Sequence, residues 1–126
     1  MIRGLSGTTI FTEDSERLAA FYRDVVGLPV DPVSGTDPSS GATFYVMGAP
    51  GGSKLGVGKH SDVQGKNTDP ARHIAGLDSD DIEAGFKRLK AAGVEFIEEP
   101  TPAGERLRIA TFKDPDGNYV QLFQFG

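Results

Sequence analysis

The chain holds few groups able to do chemistry, and that scarcity is the first constraint. There is no cysteine, and there are two histidines, His60 and His73. Disulfides, thiolate metal sites and thiol nucleophiles are therefore excluded. Gln121 sits between Val120 and Leu122, so strand alternation turns it away from both. A neutral amide is a poor metal ligand, and it cannot accept a proton near neutral pH. The carboxylates that could join a histidine are Asp78 and Glu105. The stretch GAPGGSKLG, Gly48 to Gly56, has glycine spacing reminiscent of a phosphate loop. It joins two strands rather than opening a helix, so phosphate binding is not expected there.

The elements that position these groups come in two similar sets. Asp14 and Gly27 bracket a helical stretch, Ser15 to Val26. Sixty-six positions later Asp80 and Gly93 bracket another, Asp81 to Ala92. Leu18, Phe21, Tyr22 and Val25 form an apolar stripe on the first helix, and Ile82, Phe86 and Leu89 form one on the second. Asp80 reads as the N-cap of the second helix, with Glu83 three residues on as in a capping box. Lys87, Arg88 and Lys90 crowd its last turn, where the helix dipole favours cations. Gly27 and Gly93 end the two helices.

Strands are expected at 5–12, 42–48, 53–59, 73–78, 94–98, 107–113 and 118–125, with a further candidate at 29–33. The turn Asp114-Pro115-Asp116-Gly117-Asn118 separates the last two. Ala42-Thr43-Phe44 is echoed by Ala110-Thr111-Phe112. Each half thus reads βαβββ, with 61–70 as the linker and 31–41 as a surface loop. Two copies are too few for a solenoid. The expected pattern is one domain over 1–126, with module 1 about 1–60 and module 2 about 71–126.

Composition narrows the class. A chain of 126 residues can bury about two thirds of its unfolded surface. Eight phenylalanines and three tyrosines supply a core, while 17 glycines and 8 prolines punctuate short elements. No apolar run approaches membrane-spanning length, and no secretory signal is visible at the N-terminus. The formal net charge of −5 disfavours nucleic acid and anionic membranes as partners. It mildly favours a cationic or neutral small ligand. A cytoplasmic location is expected.

The segments FTEDSERLAAFYRDVVGL, HIAGLDSDDIEAGFKRLKAAGVEF and ATFKDPDGNYVQLFQF resemble the vicinal oxygen chelate superfamily. That superfamily includes glyoxalase I, bleomycin-resistance proteins, extradiol dioxygenases and methylmalonyl-CoA epimerase. The resemblance spans nearly the whole chain. It implies an α+β fold in which two βαβββ modules form an eight-stranded, partly open sheet around a cavity. It also implies a homodimer.

Metal-using members place one ligand on the first strand of a module, seven residues before the Asp that opens its helix. A second lies on the module's last strand. Under the 66-residue register those positions are His73 and Gln121 in module 2. In module 1 they are Gly7 and either Gly56 or Lys54. Two of the four lack a usable donor and none is a carboxylate, so no metal is expected. If a divalent metal does bind, its candidate ligands are His73, Gln121 and His60.

Strand parity suggests that Val120, Leu122, Ile10, Leu55 and Val57 face the helices. Thr9, Phe11, His73, Leu77, Tyr119, Gln121 and Phe123 then face the cavity. Tyr45 and Met47 join them if Phe44 and Val46 point outward. Such a lining suits a flat or amphipathic organic ligand. Two readings follow. One is a metal-free homodimer that sequesters a small organic molecule, as the bleomycin-resistance branch does. The other is a metal-dependent lyase, isomerase or dioxygenase with a degenerate metal site.

Overall fold

The computed structural model describes all residues, Met1–Gly126. The chain forms two compact units, Met1–Gly65 and Lys66–Gly126. In the first, strand β1 (Gly7–Thr12) leads to helix α1 (Ser15–Ala20), which continues as a π-helical segment (Phe21–Val26). Strands β2 (Gly35–Thr36), β3 (Thr43–Met47) and β4 (Lys54–Lys59) follow. In the second, β5 (Ala75–Asp78), α2 (Ile82–Ala91), β6 (Phe96–Pro102), β7 (Leu107–Lys113) and β8 (Tyr119–Phe125) repeat the pattern. The sheet orders are β1-β4-β3-β2 and β5-β8-β7-β6. In each unit the first strand runs parallel to the fourth and the remaining pairs are antiparallel. The fold is α+β, with two four-stranded mixed sheets, neither of them closed. No helix is long and apolar enough to cross a membrane.

The helix starts are built alike, and they correct the register. Asp14 caps α1 by accepting the Arg17 N–H at 3.1 Å, and its own N–H donates to Thr12 Oγ1 at 3.2 Å. Asp81, not Asp80, caps α2: it accepts the Ala84 N–H at 3.0 Å, and its N–H donates to Ser79 Oγ at 3.3 Å. The two starts are therefore 67 residues apart. The two ends, Gly27 (φ 93°) and Gly93 (φ 91°), remain 66 apart. Unit one holds the extra residue in its π-helical segment, where the Gly27 N–H reaches back five residues to the Tyr22 carbonyl. Glu83 makes no capping box; it pairs with Arg108 across to β7 at 2.7 Å.

Each helix covers one face of its own sheet. Leu18, Ala19 and Tyr22 are buried with Met47, Leu55 and Val57 in unit one. Ile82, Phe86 and Leu89 are buried with Phe112, Val120 and Leu122 in unit two. Phe96 stands between Phe86 and Phe112, with ring centroids at 4.7 and 5.6 Å. Burying each large side chain contributes about 1.5–3 kcal/mol. Gln124 Oε1 accepts the Ile82 N–H at 2.7 Å and so helps to fix the start of α2 on β8.

The loop reading also changes in detail. Val30 makes only an isolated bridge to Met47, and the short strand falls later, at β2, inside the segment expected to be all loop. In the Asp114–Asn118 turn, Asp114 Oδ1 accepts the N–H groups of Asp116 and Asn118 while Oδ2 accepts Asn118 Nδ2. Asn67 is tied to this turn through the Asp116 carbonyl and Asn118 Oδ1, so part of the 61–70 stretch is anchored within unit two.

The cap assignment is testable by chemical denaturation. Asp81→Ala is expected to cost about 1 kcal/mol. Asp80→Ala, an exposed residue outside the cap, should change stability by less than about 0.5 kcal/mol.

Candidate ligand-binding site

Strand β4 runs between β1 and β3, and its sequence gives its two faces opposite characters. Leu55 and Val57 are buried on the helix-covered face, and Gly56 and Gly58 occupy the other. The register sets Thr9 beside Gly56 and Phe11 beside Gly58. It sets Val46 beside Gly56 from the β3 side. The bare glycines let the Phe44 ring lie across β4. A Cβ at Gly56 would come within 3.0 Å of that ring, and one at Gly58 within 2.7 Å. The same Cβ at Gly58 would stand 3.2 Å from the Phe11 ring, so both rings converge above this position.

One residue past β4, His60 stands edge-on to Phe11 with centroids 5.3 Å apart. The loop preceding β3 supplies Asp37, Ser39 and Ser40. Together with Phe11, Phe44, Lys59, His60 and Ser61 these residues line an open cleft of about 710 Å³ within unit one. That volume falls in the range of small-molecule sites.

The polar rim has a definite donor and acceptor pattern. Asp37 Oδ1 accepts both the Ser39 N–H and the Ser39 hydroxyl, and Oδ2 accepts the Ser40 hydroxyl. The Ser39 backbone donor, then the Ser39 and Ser40 hydroxyls, hold the Asp37 carboxyl below its ordinary value of 3.8. His60 Nδ1 accepts the Asp62 N–H at 3.0 Å, so the neutral ring carries its proton on Nε2. Lys59 is exposed and makes no ion pair.

The sequence-predicted positions divide. Thr9 and Phe11 lie on the helix-free face of unit one. Tyr119, Gln121 and Phe123 lie on the helix-free face of unit two, opposite Val120 and Leu122. Gln121 donates to Thr111 Oγ1 at 3.2 Å, and the Phe123 ring lies over Gly76. Tyr45 and Met47 are corrected to the helix-covered face, because β3 pairs them with Val57 and Leu55. Met47 is fully buried, and the Tyr45 hydroxyl donates to the Glu16 carboxylate on α1. That bond to Glu16 raises the Tyr45 pKa above its ordinary value.

Leu77 is likewise corrected: β5 pairs it with Leu122, on the helix-covered side. His73 lies before β5 and is exposed. Both corrections follow from the 67-residue spacing of the helix starts. Counted seven back from the true cap, Asp81, the position equivalent to Gly7 is Ile74 rather than His73.

Six of the cleft residues, Asp37, Ser39, Ser40, Phe44, Lys59 and Ser61, were not anticipated. The alternation Leu55-Gly56-Val57-Gly58 carried the signal for Phe44, since two glycines on one face leave room for a ring from the neighbouring strand.

In unit one, the positions matched to metal ligands offer no free donor. A Cβ at Gly7 would lie 1.8 Å from the Lys54 carbonyl oxygen, so backbone occupies the space a side chain would need. Gly56 is covered by Phe44. Lys54 Nζ is committed to the Gly48 and Ala49 carbonyls and to Asp31. No three His, Asp or Glu side chains gather in a metal-ligating group.

This architecture has known counterparts. Residues 4–122 match the Glyoxalase/Bleomycin resistance protein/Dioxygenase superfamily, and the chain belongs to that family. The uncharacterized protein YetH of Bacillus subtilis is 24% identical over 122 residues, which cover 97% of this chain and 98% of YetH. A superfamily member from Sphaerobacter thermophilus is 25% identical, with a TM-score of 0.74 and 98% of each chain covered. TnmS3, an antibiotic binding protein from Streptomyces, is 23% identical and has a TM-score of 0.75, with 99% of this chain and 98% of TnmS3 covered.

The depressed Asp37 pKa gives a pH prediction. Its stabilising contribution is fully present above the unfolded value of 3.8 and is lost as pH falls through the lower folded value. Denaturant titrations below pH 3.8 should therefore show a shallower loss of stability in Asp37→Asn than in the parent chain. Equal slopes would contradict the assignment.

Proposed function

We propose that the protein binds a planar organic molecule in the unit-one cleft and holds it without transforming it, independently of metal. One observation carries the reading: two phenylalanine rings converge over paired glycines, with a polar rim around them. An aromatic floor of this kind stacks against flat ligands. That no three His, Asp or Glu side chains gather in a metal-ligating group supports a metal-independent reading. A fold neighbour described as an antibiotic binding protein supports a sequestering role. His60, Asp37 and Lys59 are the titratable side chains of the cleft.

Titration calorimetry with pyrenylmethanol, a neutral flat probe, tests this. Saturable binding near one equivalent is expected, unchanged by a chelator. Phe44→Ala should weaken it at least about fivefold, because aromatic stacking contributes about 1 kcal/mol beyond area burial. Gly58→Ala, which drives a methyl into the Phe44 ring, should weaken it too. Undiminished binding in both variants, or binding abolished by chelation, would contradict the proposal.

We also propose that the protein acts as a homodimer. Strands β1 and β2 end one sheet, and β5 and β6 end the other, leaving edges for pairing. Light scattering at micromolar concentration should give twice the chain mass of 13.4 kDa. A monomer mass would contradict it.

A further inference from the structure

The unit-one cleft combines an aromatic floor with a carboxylate that has no cation of its own. We infer that this cleft selects a planar aromatic cation, with its ring over Phe44 and Phe11 and its charged group against Asp37. The inference rests on the function proposed above and adds the ligand's charge.

The Asp37 carboxylate belongs to the cleft wall, because the groups that hold it do. Oδ1 accepts the Ser39 N–H and hydroxyl, Oδ2 accepts the Ser40 hydroxyl, and all three residues line the cleft. These donors are neutral. They orient the carboxylate and favour its ionised form, and they leave its full negative charge in place. No ion pair of the protein includes Asp37. Lys59 is the one ammonium among the lining residues. Strand alternation sets it with Leu55 and Val57, on the side of β4 opposite Gly58. His60 Nδ1 accepts the Asp62 N–H, so the ring in that form adds no charge. The floor itself favours the same sign. The faces of aromatic rings are electron-rich and attract cations, and two such rings converge at Gly58. An aromatic cation would stack on the floor and supply the counter-charge that Asp37 lacks. The net charge of −5 acts in the same direction at longer range.

The test compares pyrenylmethylammonium with its neutral counterpart pyrenylmethanol by fluorescence titration at low ionic strength. The ammonium is expected to bind about fivefold or more tightly, the ratio falling as salt is added. Asp37→Asn keeps the shape and removes the charge. In that variant the ratio should collapse toward one while pyrenylmethanol binds as in the parent chain. Asp24→Asn removes the same charge from the π-helical segment, outside the cleft lining, and should leave the ratio unchanged. Equal or weaker binding of the ammonium in the parent chain overturns the inference. A ratio that survives Asp37→Asn, or that falls equally in Asp24→Asn, overturns it too, since overall charge would then be the cause. If pyrenylmethanol binds and the ammonium binds no more tightly, the ligand charge is wrong and the aromatic-cleft reading stands. If neither probe binds, the aromatic-cleft reading falls and this inference with it.

Discussion

Strand β4 bears bulky side chains on one face and none on the other, and unit one is organised around that asymmetry. Leu55 and Val57 are buried on the face that α1 covers. Gly56 and Gly58, on the opposite face, leave a strip of bare backbone wide enough for an aromatic ring from β3. Glycine in a strand interior costs roughly 0.5–1 kcal/mol relative to alanine. Here that cost coincides with a cleft, because any side chain at Gly58 would displace both Phe44 and Phe11. Gly7 answers to a harder constraint, the carbonyl of Lys54. One glycine thus lets β1 and β4 approach, and two others shape a surface.

The two units share topology, capping chemistry and closing glycine, but differ by one residue in their helices. That residue is taken up by the π-helical segment Phe21–Val26. Side-chain direction alternates with every residue in a strand, so a single step reverses which face each position occupies. Relative to the helix caps, Ala75 and Leu77 therefore match Thr8 and Ile10, all on helix-covered faces. This one step removes His73 from the position equivalent to Gly7. It also removes the strongest donor from the set that the family resemblance would assign to a metal.

The helices and the βαβββ repeat were legible in the sequence because 3.6-residue apolar stripes and terminal glycines are local signals. The β8 faces were legible for a similar reason, since Gln121 marks parity between Val120 and Leu122. Strand β3 was not. Phe44, Tyr45, Val46 and Met47 are all apolar or aromatic, and only pairing with β4 reveals that Tyr45 and Met47 turn toward α1. The α2 start was ambiguous because Asp80 and Asp81 are both good caps, and Ser79 chooses between them through its bond to the Asp81 N–H. The cleft rim was illegible for a different reason. Asp37 and His60 are 23 positions apart in sequence, and nothing local brings the loop before β3 to the end of β4.

Unit one thus presents two aromatic rings over paired glycines on the helix-free face of its sheet. The most direct test is backbone amide NMR of the uniformly labelled protein as pyrenylmethanol is added. The account predicts that the largest shift changes fall on Gly56, Gly58, Phe44, His60 and Ser39. Changes concentrated on Tyr119, Gln121 and Phe123 of unit two, with those of unit one unmoved, would contradict it.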